Sequence, residues 1–299
     1  MTKQKTLNTK VYASGVGIHS NKEVNFCLSP APANSGIIFR VNDNNTFVDI
    51  PATLQYIEPS PLFITLSKNS VRLVSVETLL ASLYAFGIDN VIVELDGNEL
   101  PASDGSASLF AFLIKSAGIK ELEENKKYLK LKQAIICSEG ESYIRLTPSD
   151  EFRVTCKNSY THPVICNGPQ TYTYSNTTSF EKDLSRSRRF FMQGELLDLQ
   201  KSMLYTNANL SNALILSDDL VLNEDGIRFV DEFVRASVAK TLAHISLLSM
   251  GLFASYTSYK ANHNLNLKLL ETLLKDKNNY EVVSNVMDES GEYSLASIL

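Results

Sequence analysis

The sequence predicts an α+β protein built as two similar domains, each a sheet layered with two helices and packed helix layer to helix layer. Two observations predict this. Short apolar or alternating segments bounded by Gly, Ser and Asn give way in each half to a 3.6-residue apolar period. Both halves also follow one order: helix, glycine, strand, polar turn, helix. At 299 residues, 44% hydrophobic and 20% charged, the chain can bury a core in each half, and extensive disorder is not expected.

The elements follow from local pattern. "KVYASGVGI", "EVNFCLSP", "GIIFRVN" and "TFVDIPATLQYI" read as strands separated by turn residues. From Ser75, "SVETLLASLYAFG" places Val76, Leu79, Leu80, Leu83 and Phe86 on one helical face, with Ser75 as the expected N-cap and Gly87 as the stop. The strand "DNVIVEL", the turn "DGNELPASDGSA" and the helix "SLFAFLIKSAG" follow. The charged run "KELEENKK" lacks apolar periodicity and marks the expected boundary between domains 1–125 and 126–299. Beyond it lie the expected strands "KYLKLKQAIICSE", "ESYIRLTP" and "EFRVTCKN", a helix-rich segment over 179–202 and the strand "NALILSDD". A long helix over 228–250, the strand "LFASYTSYK" and the helix "NLKLLETLLK" complete the second half.

Composition narrows the function classes. A formal net charge of −5, with Lys and Arg scattered, leaves no basic stripe for nucleic acid. No run reaches the roughly 18 apolar residues of a membrane span, and the first residues lack a signal-type apolar region, so a cytoplasmic protein is expected. Cys27, Cys137, Cys156 and Cys166 lack metal-site spacing and read as reduced structural residues. His19 and His162 read the same way, as structural histidines.

One helix carries a second pattern. In "EFVRASVAKTLAH", Ala236, Lys240 and His244 recur every four residues and lie roughly opposite the apolar stripe of Val234, Val238 and Leu242. Periodicity alone makes that column a solvated face. It likewise makes Glu77 a first-turn acid favoured by the helix dipole.

Several polar stretches are too particular for core packing. They are "SGVGIHS" (14–20), "VETL" (76–79), "GIDNVIVEL" (87–95), "DGSA" (104–107), "THPVI" (161–165), "LNEDGIRFVDEFVR" (222–235) and "SYKANHNLNLKLL" (258–270). In this order and spacing the chain closely resembles the UDP-3-O-acyl-N-acetylglucosamine deacetylases of the LpxC type, the zinc amidases of lipid A and lipopolysaccharide synthesis. The resemblance implies two layered domains with the site between their helices. It also implies a zinc ion held by the His of V-E-H-L and by the His and Asp of F-V-R-H-K-x-x-D. Residues at i and i+4 share a helical face, and zinc activates a water that a carboxylate deprotonates while a His protonates the leaving amine.

Measured against that pattern, the zinc ligands are replaced: Thr78, Ala236 and Lys240 stand at the three positions. Ser237 replaces the family Lys, His244 replaces the Asp that orients the catalytic His, and Arg189 in "SRSRRFFM" falls near an oxyanion-facing Thr. In "SMLYTNANLSNA", Met203, Asn207 and Ala208 replace small residues of the acyl passage. Glu77 and His263 match the family's general base and general acid.

The resulting expectation is a zinc-free pseudoenzyme with a binding or regulatory role. Lys240, Arg189 and His244 would attract an anionic ligand such as a UDP-sugar or lipid A precursor, and protein regulators of an intact deacetylase are further expected partners. An ion pair between Lys240 and Glu77 is expected to replace the metal's charge. Two alternatives stay open: an active deacetylase with a metal on Glu77, His244 and His263, or a folded product without a selected role. The apolar ending "YSLASIL" resembles a degradation tail of some family members, or is a final strand.

Overall fold

The computed structural model describes residues 2–43, 46–160, 162–165, 168–287 and 293–297. Thr161, Cys166 and the last two residues of "YSLASIL" lie outside them. The fold is α+β. Its first sheet has five strands in the spatial order Val11–Val16, Glu23–Pro30, Val91–Leu95, Ile37–Asp43 and Thr46–Pro51. Alternation makes it one-sided: Val24, Phe26 and Leu28, then Phe39 and Val41, then Val91, Val93 and Leu95 all turn inward. Helices α1 (Glu77–Ala85) and α2 (Ser108–Ala117) belong to the same half, and each stops just before a left-handed glycine, Gly87 or Gly118.

The second sheet is centred on Gly251–Tyr259, which pairs with Ser142–Pro148, Arg153–Asn158 and Lys127–Leu131. Ile135–Glu139, Gln170–Ser175, Tyr280–Met287 and Tyr293–Ser297 extend it to eight strands. After the short helix α3 (Gln193–Lys201), α4 (Glu232–Ser246) and α5 (His263–Lys275) supply the helices that matter for the site. Helix α4 packs against α1. Leu79, Leu80 and Leu83 of α1 share one buried core with Val234, Val238 and Leu242 of α4, so the apolar stripes found by periodicity face each other.

Four local expectations change. Ser75 does not cap α1: it sits at φ 59°, and its hydroxyl is spent on Glu99 Oε1 at 3.3 Å. The charged segment "KELEENKK", read only as the boundary between halves, carries structure of its own: Ile119–Asn125 is a largely exposed strand paired with Lys3–Leu7. A peripheral two-stranded ribbon needs backbone partners, not an apolar face, and charge keeps it soluble. The segment 179–202 is helical only in part, with a π-helical turn at Phe180–Leu184 and a strand at Phe190–Met192 before α3. The long helix is confined to Glu232–Ser246, with turns on both sides. Cys27, Cys137 and Cys156 are free and buried, as a reduced structural role requires.

The start of α4 is pinned by Glu232, which has no exposed surface. Its carboxylate accepts from Arg188 N and Nε at 3.0 and 2.9 Å, from Arg188 Nη2 at 3.1 Å and from Arg228 N at 2.6 Å. Arg188, itself 2% exposed, also reaches Gly226 O at 2.6 Å. Breaking a buried pair strands a charge, so Glu232→Gln is expected to cost about 3–5 kcal/mol. Urea unfolding would read this, and a cost below about 1 kcal/mol, the range of a surface pair, would contradict the anchoring role.

Candidate active-site cleft

The candidate site lies where the first turn of α1, one face of α4, the start of α5, the segment around Arg189 and the loop 62–64 converge. Glu77 opens α1, where the dipole favours a carboxylate. Its Oε1 accepts from Ile64 N at 2.5 Å. Thr78 lies beside it, half-buried. On α4, Ala236 and Lys240 are half-buried and not solvated, because the face they occupy turns toward the cleft. Lys240 Nζ donates to Leu62 O at 3.3 Å.

The expected ion pair is therefore not made as a direct contact. No ion pair within 4.0 Å joins Lys240 to Glu77. Each instead binds backbone of the same loop, Lys240 a carbonyl and Glu77 an amide. They still sense each other: burial pushes the Lys240 amine below the usual lysine range, the Glu77 carboxylate opposes this, and the Arg189 guanidinium reinforces it.

His244 also departs from expectation. It is 1% exposed, and both ring nitrogens are engaged, Nδ1 with Lys240 O at 2.7 Å and Nε2 with His263 Nδ1 at 2.9 Å. Burial, then the neighbouring His263, lowers its pKa to about 3. It adds no positive charge to the cleft and presents nothing to a ligand. His263, 1% exposed, sits at the start of α5 behind its N-cap Asn262, whose Oδ1 accepts from Leu265 N at 2.8 Å. Burial and then Lys240 lower its pKa to about 4.

Arg189 follows the buried Arg188 and is held through its backbone, which donates to Gly105 O at 3.0 Å and accepts from Leu214 N at 2.9 Å. Its side chain is an electrostatic neighbour of both Lys240 and His19. Sequence reasoning gave His19 no role. Its Nδ1 accepts from Tyr205 N at 3.1 Å, and its ring lies against Phe63 and Tyr205. Burial lowers its pKa to about 4 against the pull of Glu99. The only signal that could have found it was the polar stretch "SGVGIHS". His162 does behave structurally, bonded to Ser217 O and Val164 N.

Among the described residues, three buried ring or guanidinium atoms have no hydrogen-bond partner: His19 Nε2, Arg189 Nε and His263 Nε2. Buried polar atoms are rarely left so, and these gather at the cleft. The residues at the family's zinc positions do not fit the metal, since Ala236 has no donor, Lys240 is a cation or amine hydrogen-bonded elsewhere, and Thr78 offers one hydroxyl. In the alternative set of Glu77, His244 and His263, His244 Nε2 is hydrogen-bonded to His263 Nδ1 at 2.9 Å.

Fold and site define the class first: an α+β protein in which a carboxylate at the start of α1 and an imidazole at the start of α5 both lie near Lys240 of α4. The chain matches the model of the UDP-3-O-acyl N-acetylglycosamine deacetylase (LpxC) family over residues 4–275. Curated relatives named UDP-3-O-acyl-N-acetylglucosamine deacetylase include those of Cellvibrio japonicus, 38% identical over 95% of this chain and 94% of that one, and Hahella chejuensis, 38% identical over 98% and 96%. The Coxiella burnetii protein is 38% identical over 95% and 94%. This chain belongs to the LpxC deacetylase family. No helix of the described residues is long and apolar enough to cross a membrane.

The histidines make stability pH-dependent. His19, His244 and His263 have folded pKa values of about 4, 3 and 4, below the 6.5 of a free imidazole. Between these limits the unfolded chain binds more protons, so stability is full above about pH 6.5 and is lost as pH falls toward 4. Urea titrations across that range are expected to show up to three protons taken up on unfolding. A flat profile would contradict the neutral buried state.

Proposed function

We propose that the protein is a catalytically inactive or strongly impaired relative of the deacetylases that binds UDP-sugar or lipid A precursors, with a binding or regulatory role that extends to factors controlling an intact deacetylase. The observation that carries this reading is the α4 face itself, where Ala236 and Lys240 stand one turn apart at the two positions the family uses for metal ligands. Without a metal, the attacking water keeps a pKa near 15.7 in place of about 7, a difference of roughly 12 kcal/mol in forming hydroxide at neutral pH. Glu77 cannot supply that by position alone. It remains a hydrogen-bonded carboxylate at the helix start.

Binding is the chemistry the cleft retains. Arg189 has an unpartnered buried Nε, and Lys240 uses one of its donors on Leu62 O. An arriving diphosphate is the partner that both groups lack, and its charge favours the ammonium form of Lys240. His244 takes no part in this contact.

Elemental analysis of the purified protein is expected to find no stoichiometric zinc, and assays with a UDP-3-O-acyl-GlcNAc are expected to release no acetate. Calorimetry with UDP is expected to show binding that Arg189→Gln combined with Lys240→Met weakens by about a hundredfold or more, the loss of two charge-assisted hydrogen bonds at about tenfold or more each. The triple change Thr78→His, Ala236→His and Lys240→Asp is expected to restore zinc. A metal-loaded, turning-over unmodified protein would overturn the reading.

A further inference from the structure

The two buried histidines settle each other's protons. Lys240 O offers only lone pairs, so His244 Nδ1, 2.7 Å away, must carry the proton of that bond. A neutral imidazole has one N–H, which leaves His244 Nε2 an acceptor. Its partner at 2.9 Å, His263 Nδ1, must then be the donor. His263 has spent its single proton in turn, and its Nε2 is a buried lone pair with no hydrogen-bond partner. The chain of bonds runs in one direction, from His263 through His244 to the α4 backbone.

We infer that His244 is a positioning residue that locks His263 with its proton on Nδ1, which makes His263 Nε2 a fixed acceptor for a hydroxyl or N–H donor of a bound ligand and not a proton donor to a leaving group. The groups around the pair keep it neutral. Both rings are 1% exposed, Lys240 on α4 is the charged group that acts on both, and no carboxylate hydrogen-bonds to either. Glu77 on α1 and Arg189 act on Lys240. An acidic side chain at 244 would do the reverse, since a carboxylate accepting from His263 Nδ1 stabilises an imidazolium that also carries a proton on Nε2.

For catalysis, the consequence rests on the reading of this chain as a deacetylase relative with replaced metal ligands. Restoring the three ligand positions alone leaves His263 an acceptor. A proton donor for the leaving amine requires His244→Asp as well.

The inference itself is tested without metal, substrate or turnover. Long-range proton–nitrogen NMR of the full-length protein, with its histidine rings nitrogen-15 labelled, is expected to show His244 and His263 as neutral Nδ1–H tautomers at pH 7. In His244→Asn the amide oxygen still accepts from Nδ1, so His263 should keep that tautomer and titrate only at acid pH. In His244→Asp the His263 titration should move up by two pH units or more. An Nε2–H or imidazolium His263 at pH 7 in the unmodified protein, or a folded His244→Asp variant with unmoved His263 titration, would overturn the lock. If His244→Asp does not fold, the unmodified and His244→Asn spectra still decide the tautomer. None of these outcomes depends on whether zinc or deacetylation is found.

Discussion

The fully buried carboxylate of Glu232 is the constraint on which the cleft depends. Four N–H groups from Arg188 and Arg228 converge on it, joining the first turn of α4 to the segment before Phe190–Met192 and to the loop at 225–228. An ionised carboxylate without that set would be driven from the interior by its desolvation cost. With it, the rotation of α4 is fixed at its N-terminal end. Residues four apart along α4 then fall on the cleft wall, and Arg189 is delivered to the same cleft by its backbone bonds to Gly105 and Leu214. The anchor lies outside the cleft, so chemistry at Ala236, Lys240 and His244 can change while the helix keeps its place.

Within the cleft, charge is distributed differently from a metal site. A metal ion gathers its ligands around one point, whereas here the loop 62–64 stands between the groups, giving an amide to Glu77 and a carbonyl to Lys240. The two charges interact without touching. Behind them, the His244–His263 pair is neutral and directional, and it replaces an acidic orienting group with an imidazole that takes a hydrogen bond but brings no negative charge. The residues at Thr78, Ala236 and Lys240 and the direction of the His263 proton are set by separate contacts.

Much of this was legible in the residues. The strands at Glu23–Pro30 and Val91–Leu95, and the apolar stripes of α1 and α4, follow from local periodicity, because burial of one face imposes that pattern on the chain. The misreadings have a common cause. Ser75 looks like a helix cap until Glu99 takes its hydroxyl, and Lys240 looks like the partner of Glu77 until Leu62 and Ile64 intervene. His244 looks like a solvated cation until His263, nineteen residues on, closes over its ring.

By itself, then, the sequence determined the α+β class, the apolar stripes of the helices and the family, since each depends on residue type and spacing along one chain. Only the tertiary structure decided which polar groups meet. Hydrogen-bond partners are chosen by position in space, and a donor with two candidate acceptors goes to the one the fold brings within about 3 Å. That choice turned an expected ion pair into two backbone contacts, and an expected cation into a neutral lock on His263.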